Sequence, residues 1–148
     1  MEEILIRKAT EKDIPRILEL YSGLGDGKNE KLDVESEKEN LRKIQSYPNY
    51  EVYVAEKEGR IVGTFELLIM DNLAHSGKPS AIVEDVVVDE NERGGGIGKT
   101  MMQFAMEQSK RHGCYKMTLS SNLKRERAHR FYENLGFERH GYSFIVKL

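Results

Sequence analysis

Apolar positions in this chain repeat with two periods, every second residue or every third to fourth, and the switches between them mark out its elements. Ile4-Leu5-Ile6 reads as a short strand. Ile14, Ile17, Leu18 and Tyr21 fall at i, i+3, i+4 and i+7 of a helix, and Pro15 belongs near its start, which favours Asp13 over Thr10 as the N-cap. Ser22 to Gly27 is a glycine-rich break. A mostly polar helix with Val34, Leu41 and Ile44 as its apolar positions is expected over 34–46, closed by Pro48-Asn49. Strands follow at 51–56 and 61–70 around a hairpin turn at Lys57-Glu58-Gly59-Arg60, then at 81–89 after a loop from Asp71 to Pro79. Ile97, Met101, Phe104, Ala105 and Gln108 share one side of the next helix, which Gly113 ends. Tyr115, Met117 and Leu119 alternate with Lys116, Thr118 and Ser120 as a half-buried strand. A last helix carries Ala128, Phe131, Tyr132 and Leu135 and stops at Gly136, and closing strands are expected near 137–139 and 142–148.

This order, β-α-α-β-β-β-α-β-α-β-β, predicts an α/β protein with a mixed sheet and helices on its faces. At 148 residues the chain is read as one domain, 1–148, able to bury about 70% of its unfolded surface. The 23 Lys and Arg against 25 Asp and Glu leave no basic field to recruit nucleic acid or an anionic membrane. With Cys114 as the one cysteine there is no intrachain disulfide, and no apolar leader or spanning stretch is evident, so a cytoplasmic location is expected. Spacings such as H-x-x-x-H are absent, and no metal is expected.

Residues 93–98, Arg-Gly-Gly-Gly-Ile-Gly, leave a strand and open a helix, where bare backbone N–H groups and the helix dipole favour a phosphate. A P-loop would need its first glycine at Arg93, and a dinucleotide fingerprint would need its last at Lys99, so both fail by one residue. The spacing that remains is Arg/Gln-x-x-Gly-x-Gly, met by Arg93, Gly96 and Gly98 after Val86-Val87-Val88-Asp89. It resembles the acyl-CoA pyrophosphate loop of the GCN5-related N-acetyltransferase (GNAT) superfamily. Asn122, after the fifth strand, and Ala128-His129-Arg130-Phe131-Tyr132-Glu133-Asn134-Leu135-Gly136-Phe137 resemble that superfamily's second conserved block. Within it, Thr118 to Leu148 looks most like the aminoalkylphosphonate N-acetyltransferases, whereas Val83 to Val88 and Cys114 to Leu119 look more like the glucosamine-6-phosphate N-acetyltransferases.

The resemblance implies the acyl-CoA N-acyltransferase fold: a mixed, mostly antiparallel twisted sheet of about seven strands flanked by about four helices. It implies acetyl-CoA as co-substrate and a small, phosphate- or phosphonate-bearing amine as acceptor. The backbone of Val86, Val87 and Val88 would pair with the pantetheine arm. The backbone of Gly94, Gly95, Gly96, Ile97, Gly98 and Lys99, with the Arg93 charge and the Thr100 hydroxyl, would hold the pyrophosphate, and Asn122 would hydrogen-bond the pantetheine. Locally, Asn122 reads equally well as a turn cap.

Acetyl transfer to an amine needs the lone pair free, whereas an amine of pKa ~10 is protonated at neutral pH. Glu84 and Asp85 interrupt an apolar strand just before the glycine loop, and alternation places them on opposite faces. Glu84 is the candidate base, acting through a water, as the resemblance to a superfamily that often places a Glu at this strand position implies; it reads equally well as a carboxylate paired with a nearby Arg or Lys, or one that orients the substrate without taking its proton. Tyr132 matches the family's acid for the leaving thiolate, and otherwise reads as a core tyrosine. Asp85 and His75, in the loop before the strand, are candidates for holding the acceptor. Three classes stand: an N-acetyltransferase working by direct attack in a ternary complex, a non-catalytic acyl-CoA-binding module, and a nucleotide hydrolase, which the failed P-loop disfavours. Protein amines are an alternative acceptor, and a homodimer is compatible with a domain this small.

Overall fold

The computed structural model describes residues 2–23 and 33–148; the glycine-rich break beyond Gly23 lies outside them. Residues Met1–Thr118 and Leu119–Leu148 form two compact units.

The first unit is built on a five-stranded sheet in the order β1 (Ile4–Lys8), β2 (Tyr50–Lys57), β3 (Arg60–Met70), β4 (Ser80–Val88), β5 (Met117–Thr118). The first three pairings are antiparallel and β4–β5 is parallel. Helices α1 (Ile14–Ser22) and α2 (Val34–Gln45) seal one face: Ile14, Ile17, Leu20 and Leu41 bury against Val52, Val54 and Val87. Asp33 starts α2, accepting from the N–H groups of Glu35 and Ser36, which leaves Val34 and Ile44 free to pack with α1. Helix α3 (Ile97–Arg111) covers the other face with Ile97, Met101, Met102 and Ala105 buried, and Phe104 meets Tyr53 edge-on at 5.0 Å between ring centroids.

Asp13 does precede α1, but its carboxylate does not cap that helix. It accepts from the Thr10 N–H at 2.8 Å and from Arg7 Nη1 and Nη2 at 2.7 and 3.0 Å, closing the short 3-10 turn that joins β1 to α1. Arg7 holds the Asp13 pKa below the usual carboxylate range despite burial. Asp13→Ala is therefore expected to cost about 2–3 kcal/mol, because a charge-assisted network and a turn cap are lost together. The wild-type advantage should be present above the ordinary carboxylate pKa of ~4 and fade as pH falls through the depressed folded value. Thermal melts of both proteins across that range check this, and equal melting temperatures at neutral pH would refute it.

The second unit contains α4 (Glu126–Asn134), in which Tyr132 is buried and packs edge-on with Phe131 at 5.2 Å and Phe137 at 5.5 Å. The expectation of about seven strands is corrected to five. Residues 137–139 and 142–148 carry strand-like alternation, yet they form no ladder among the described residues, and a strand exists only through its partner's hydrogen bonds. The fifth strand is also shorter than its alternation suggested, because β4 pairs with it only at Ala81–Met117 and Ile82–Thr118.

Candidate active site

Opposite residues on β3 and β4 fall out of step at one point. Glu66 faces Glu84 and Thr64 faces Val87, so two residues of β3 span three of β4, and the extra residue bulges at Asp85-Val86. Asp85 takes φ +51°, the left-handed region that a side chain seldom adopts. Simple alternation across this stretch is thus corrected. Val87, rather than Val86, returns to the face of Glu84, where it joins the α1 core. Asp85, expected on the far face, lies close enough for its charge to act on Glu84, Glu66, Tyr50 and Tyr21.

Glu66, Glu84 and Asp85 consequently form one acidic group. Partial burial raises the pKa of each; at Glu84 the Asp85 charge raises it further, and at Glu66 the charges of Asp85 and Glu84 do so against the lowering effect of the Tyr50 hydrogen bond. Among the described residues no cation contributes at any of the three. Tyr50 Oη donates to Glu66 Oε2 at 2.6 Å, and the phenols of Tyr50 and Tyr21 are held well above the usual range by burial and these charges. Glu66 is absent from the sequence-based candidates, although its signal was there: it interrupts the apolar run of β3 as Glu84 and Asp85 interrupt that of β4. Among the described residues, no group of three or more His, Cys, Asp or Glu side chains is disposed to hold a metal ion.

Beyond Ile82 the edge of β4 that faces away from β3 has no strand partner among the described residues, so the backbone of Val83 to Val88 offers a free edge leading to the glycine loop. The turn before that loop is clamped. Asp89 accepts from Arg16 and from the Asn91 N–H, while its own N–H donates to the Val62 carbonyl. Arg16 also donates to the Ile61 carbonyl at 3.1 Å, and Glu92 is held by Lys57 and Arg60, each at 2.8 Å. Arg93 stays half exposed, 3.8 Å from Glu90, on the rim of an open cleft of about 280 Å³ that Arg16, Leu20, Gly23, Val88 and Asp89 also line.

Gly94 and Gly96 have φ of +86° and +81°, and Gly96 is the N-cap of α3. The N–H groups of Gly94, Gly96, Ile97, Gly98 and Lys99 have no acceptor among the described residues, whereas the Gly95 N–H donates to the Glu92 carbonyl at 3.3 Å. Thr100 donates through both N–H and Oγ1 to the Gly96 carbonyl, at 3.0 and 3.1 Å, so its hydroxyl proton is already used. Five open donors at the positive end of a fifteen-residue helix make an anion cradle.

In the second unit, Asn122 Oδ1 accepts from the Lys124 N–H at 2.9 Å and the Asn122 carbonyl accepts from Arg125 N–H and meets His129 Nε2 at 2.8 Å. Asn122 therefore caps its turn, with its amide nitrogen left to donate elsewhere. Ser121 Oγ, beside it, is buried without a partner among the described residues. Burial raises the pKa of Tyr132, so its phenol is protonated at neutral pH. His75 stacks on Tyr115 at 4.3 Å between ring centroids, in the β3–β4 connection.

No described helix is long and apolar enough to cross a membrane. The family model for the acetyltransferase (GNAT) family matches residues 14–137. An aminoalkylphosphonate N-acetyltransferase of Salmonella typhimurium is 31% identical over 97% of this chain and 90% of its own length. A glucosamine 6-phosphate N-acetyltransferase of Trypanosoma brucei brucei is 40% identical over 60% of this chain, and the match spans 58% of that relative's length. The crystal structure of glucosamine-6-phosphate N-acetyltransferase from Arabidopsis thaliana superposes with a TM-score of 0.84 at 28% identity, covering 99% of both chains. Together with the anion cradle and the free edge of β4, these matches place the chain in the GNAT family, acetyltransferases that draw their acetyl group from acetyl-CoA.

Proposed function

We propose that this chain transfers the acetyl group of acetyl-CoA to the primary amine of a small acceptor by direct attack within a ternary complex. The observation that carries the reading is the sequence of features along β4: an acidic group at the bulge, then an unpaired strand edge, then five open N–H donors. The donors fit a pyrophosphate, with Arg93 adding charge from the rim; the edge at Val86 to Val88 fits a pantetheine amide chain laid down like a further strand. Asn122 supports the same arm through its free amide nitrogen. Acetyl-CoA supplies the acetyl group as an activated thioester.

Glu84 takes the proton of the attacking amine, directly or through a water. It is exposed, without a hydrogen-bond partner among the described residues, whereas Glu66 is engaged by Tyr50. Asp85 and Glu66 draw the cationic form of the amine into the group, while burial and the Asp85 charge keep the Glu84 pKa raised, closer to the working pH of a base. Tyr132, protonated, gives its proton to the departing sulfur. His75 belongs to the acceptor end of the site only through its position in the connection before β4.

Acceptors that pair an amine with a phosphate or phosphonate stand first, as the names of two relatives suggest. The acidic group, with no compensating cation among the described residues, favours a second reading, a di- or polyamine whose remote ammonium the carboxylates would hold. A thiol-release screen with acetyl-CoA against glucosamine 6-phosphate, an aminoalkylphosphonate and a series of diamines separates the two. Turnover of an anionic acceptor at least tenfold above every diamine supports the first, the reverse order supports the second, and CoA binding with no thiol release on any amine refutes the activity.

A further inference from the structure

The anion cradle is a loop that cannot fix its own shape. A Cβ at Gly94 or Gly96 would meet no atom within 4 Å, so no neighbouring group packs where their side chains would be. Glycine loses more conformational freedom on ordering than any other residue, and several N–H groups bind one anion well only when they are aligned beforehand. The loop must therefore be held at its ends. At the α3 end the hold is apolar: Ile97 and Met101 are buried, and Gly63 of β3 leaves the room that Met101 needs, since a Cβ there would stand 2.7 Å from Met101 Sδ. At the other end the 3-10 turn Glu90–Glu92 buries no residue, so it has no apolar hold.

Charged side chains take its place. Negative charge beside an anion site weakens it, yet Asp89 and Glu92 bracket the turn that leads into the cradle. Each is neutralised by cations from other elements. Asp89 pairs with Arg16 of α1, whose Nε also donates to the Ile61 carbonyl at 3.1 Å, so one guanidinium ties α1, β3 and the turn together. Glu92 takes Lys57 Nζ and Arg60 Nη2 at 2.8 Å each, and Lys57 is itself 2.7 Å from Glu2. The Asp89 and Glu92 side chains are only 13 and 16% exposed, which protects both pairs from screening by salt. The hold passes into the loop through the backbone: the Asp89 carbonyl accepts from the Glu92 N–H at 3.0 Å, and the Glu92 carbonyl from the Gly95 N–H at 3.3 Å.

We propose that Arg16 and Asp89, with Glu92 as a second anchor, are positioning residues for the donor: an ionic clamp that keeps the glycine loop in its anion-binding form and so sets the affinity for acetyl-CoA. The inference rests on the reading of that loop as the pyrophosphate site. It differs in sign from plain attraction, in which Arg16 and Arg93, both on the open cleft, draw the pyrophosphate simply as charges. Asp89→Asn removes a negative charge beside the site, frees Arg16 and keeps an oxygen to accept from the Asn91 N–H. Attraction alone then makes CoA bind more tightly. The clamp makes it bind more weakly.

Isothermal titration of CoA into the full chain, wild type against Arg16→Met, Asp89→Asn and Glu92→Gln, reads that sign. Arg16→Met is expected to weaken CoA binding about fivefold, the upper end for a part-exposed ion pair, and Asp89→Asn and Glu92→Gln about threefold each. Glu92→Gln carries the sign test by itself if Asp89→Asn fails to fold. Arg16→Met/Asp89→Asn should match Arg16→Met alone and fall short of the product of about 15-fold, because the same pair is lost once. The KM for acetyl-CoA should follow these changes while kcat stays within about twofold. Arg42→Met removes a different ion pair, with Glu11, in which the loop takes no part, and should leave CoA binding unchanged. Unchanged or tighter binding in Asp89→Asn or Glu92→Gln, or multiplied losses in the double variant, would overturn the clamp. A wild type that does not bind CoA would instead refute the pyrophosphate reading of the loop, and the proposal with it.

Discussion

Gly96→Ala is expected to raise the KM for acetyl-CoA about tenfold while changing kcat much less. Gly96 caps α3 at φ +81°, ψ +3°, and a Cβ there would meet no atom within 4 Å. The substitution therefore acts through the backbone and not through a clash. A non-glycine residue pays about 1–2 kcal/mol in the left-handed region. Relief of that strain turns the peptide planes whose N–H groups form the cradle, and a loss of 1.4 kcal/mol is tenfold in affinity. Gly59→Ala is the control: Gly59 has φ +74° in the β2–β3 hairpin, again with open space around the missing Cβ. It should lower the melting temperature without moving KM. Steady-state thiol release with acetyl-CoA varied measures both, and an unchanged KM in the Gly96 variant would separate the loop from the donor.

Glu84→Gln is expected to lower kcat at least tenfold at neutral pH, a modest share of the 10²–10⁴ that a positioned base contributes. Because the Glu84 pKa is raised by burial and by Asp85, the acid limb of the wild-type kcat/KM profile should lie above the ordinary carboxylate range. Asp85→Asn removes one of those causes and should move that limb to lower pH. Stability runs the other way. A carboxylate whose pKa is raised by folding costs nothing below its unfolded pKa, and its penalty grows as pH rises from the unfolded to the folded value and is complete above it. Asp85→Asn and Glu66→Gln should thus melt higher than the wild type at pH 7, with the gain vanishing near pH 4. A profile without an acid limb in this region, or a variant set that melts lower at pH 7, would contradict the account of the acidic group.

The periodic elements were legible because each buries one face. The two helices over the Val52–Val54 face, α3 on the other and the hairpin at 57–60 all follow from apolar spacing and turn residues. The anion cradle was legible because positive φ and free N–H groups at a helix start call for glycine. Pairing was not. Whether Tyr142 to Leu148 forms a strand depends on a partner that its own alternation cannot name. The β4 bulge was equally hidden, because it places an aspartate, not a glycine, at positive φ, and period-two counting then puts Val86 instead of Val87 on the face of Glu84. Glu66 stood in plain view as a carboxylate within an apolar strand, but only the register with Glu84 makes it part of a site.

A single-turnover experiment tests the central claim most directly. With protein in excess over acetyl-CoA, and the best amine from the screen present, free thiol and N-acetylated amine should appear at the same rate and in equal amounts. Omitting the amine should abolish thiol release, since attack is direct and no side chain carries the acetyl group. A burst of thiol without amine, or binding of acetyl-CoA with no transfer to any amine, would contradict it.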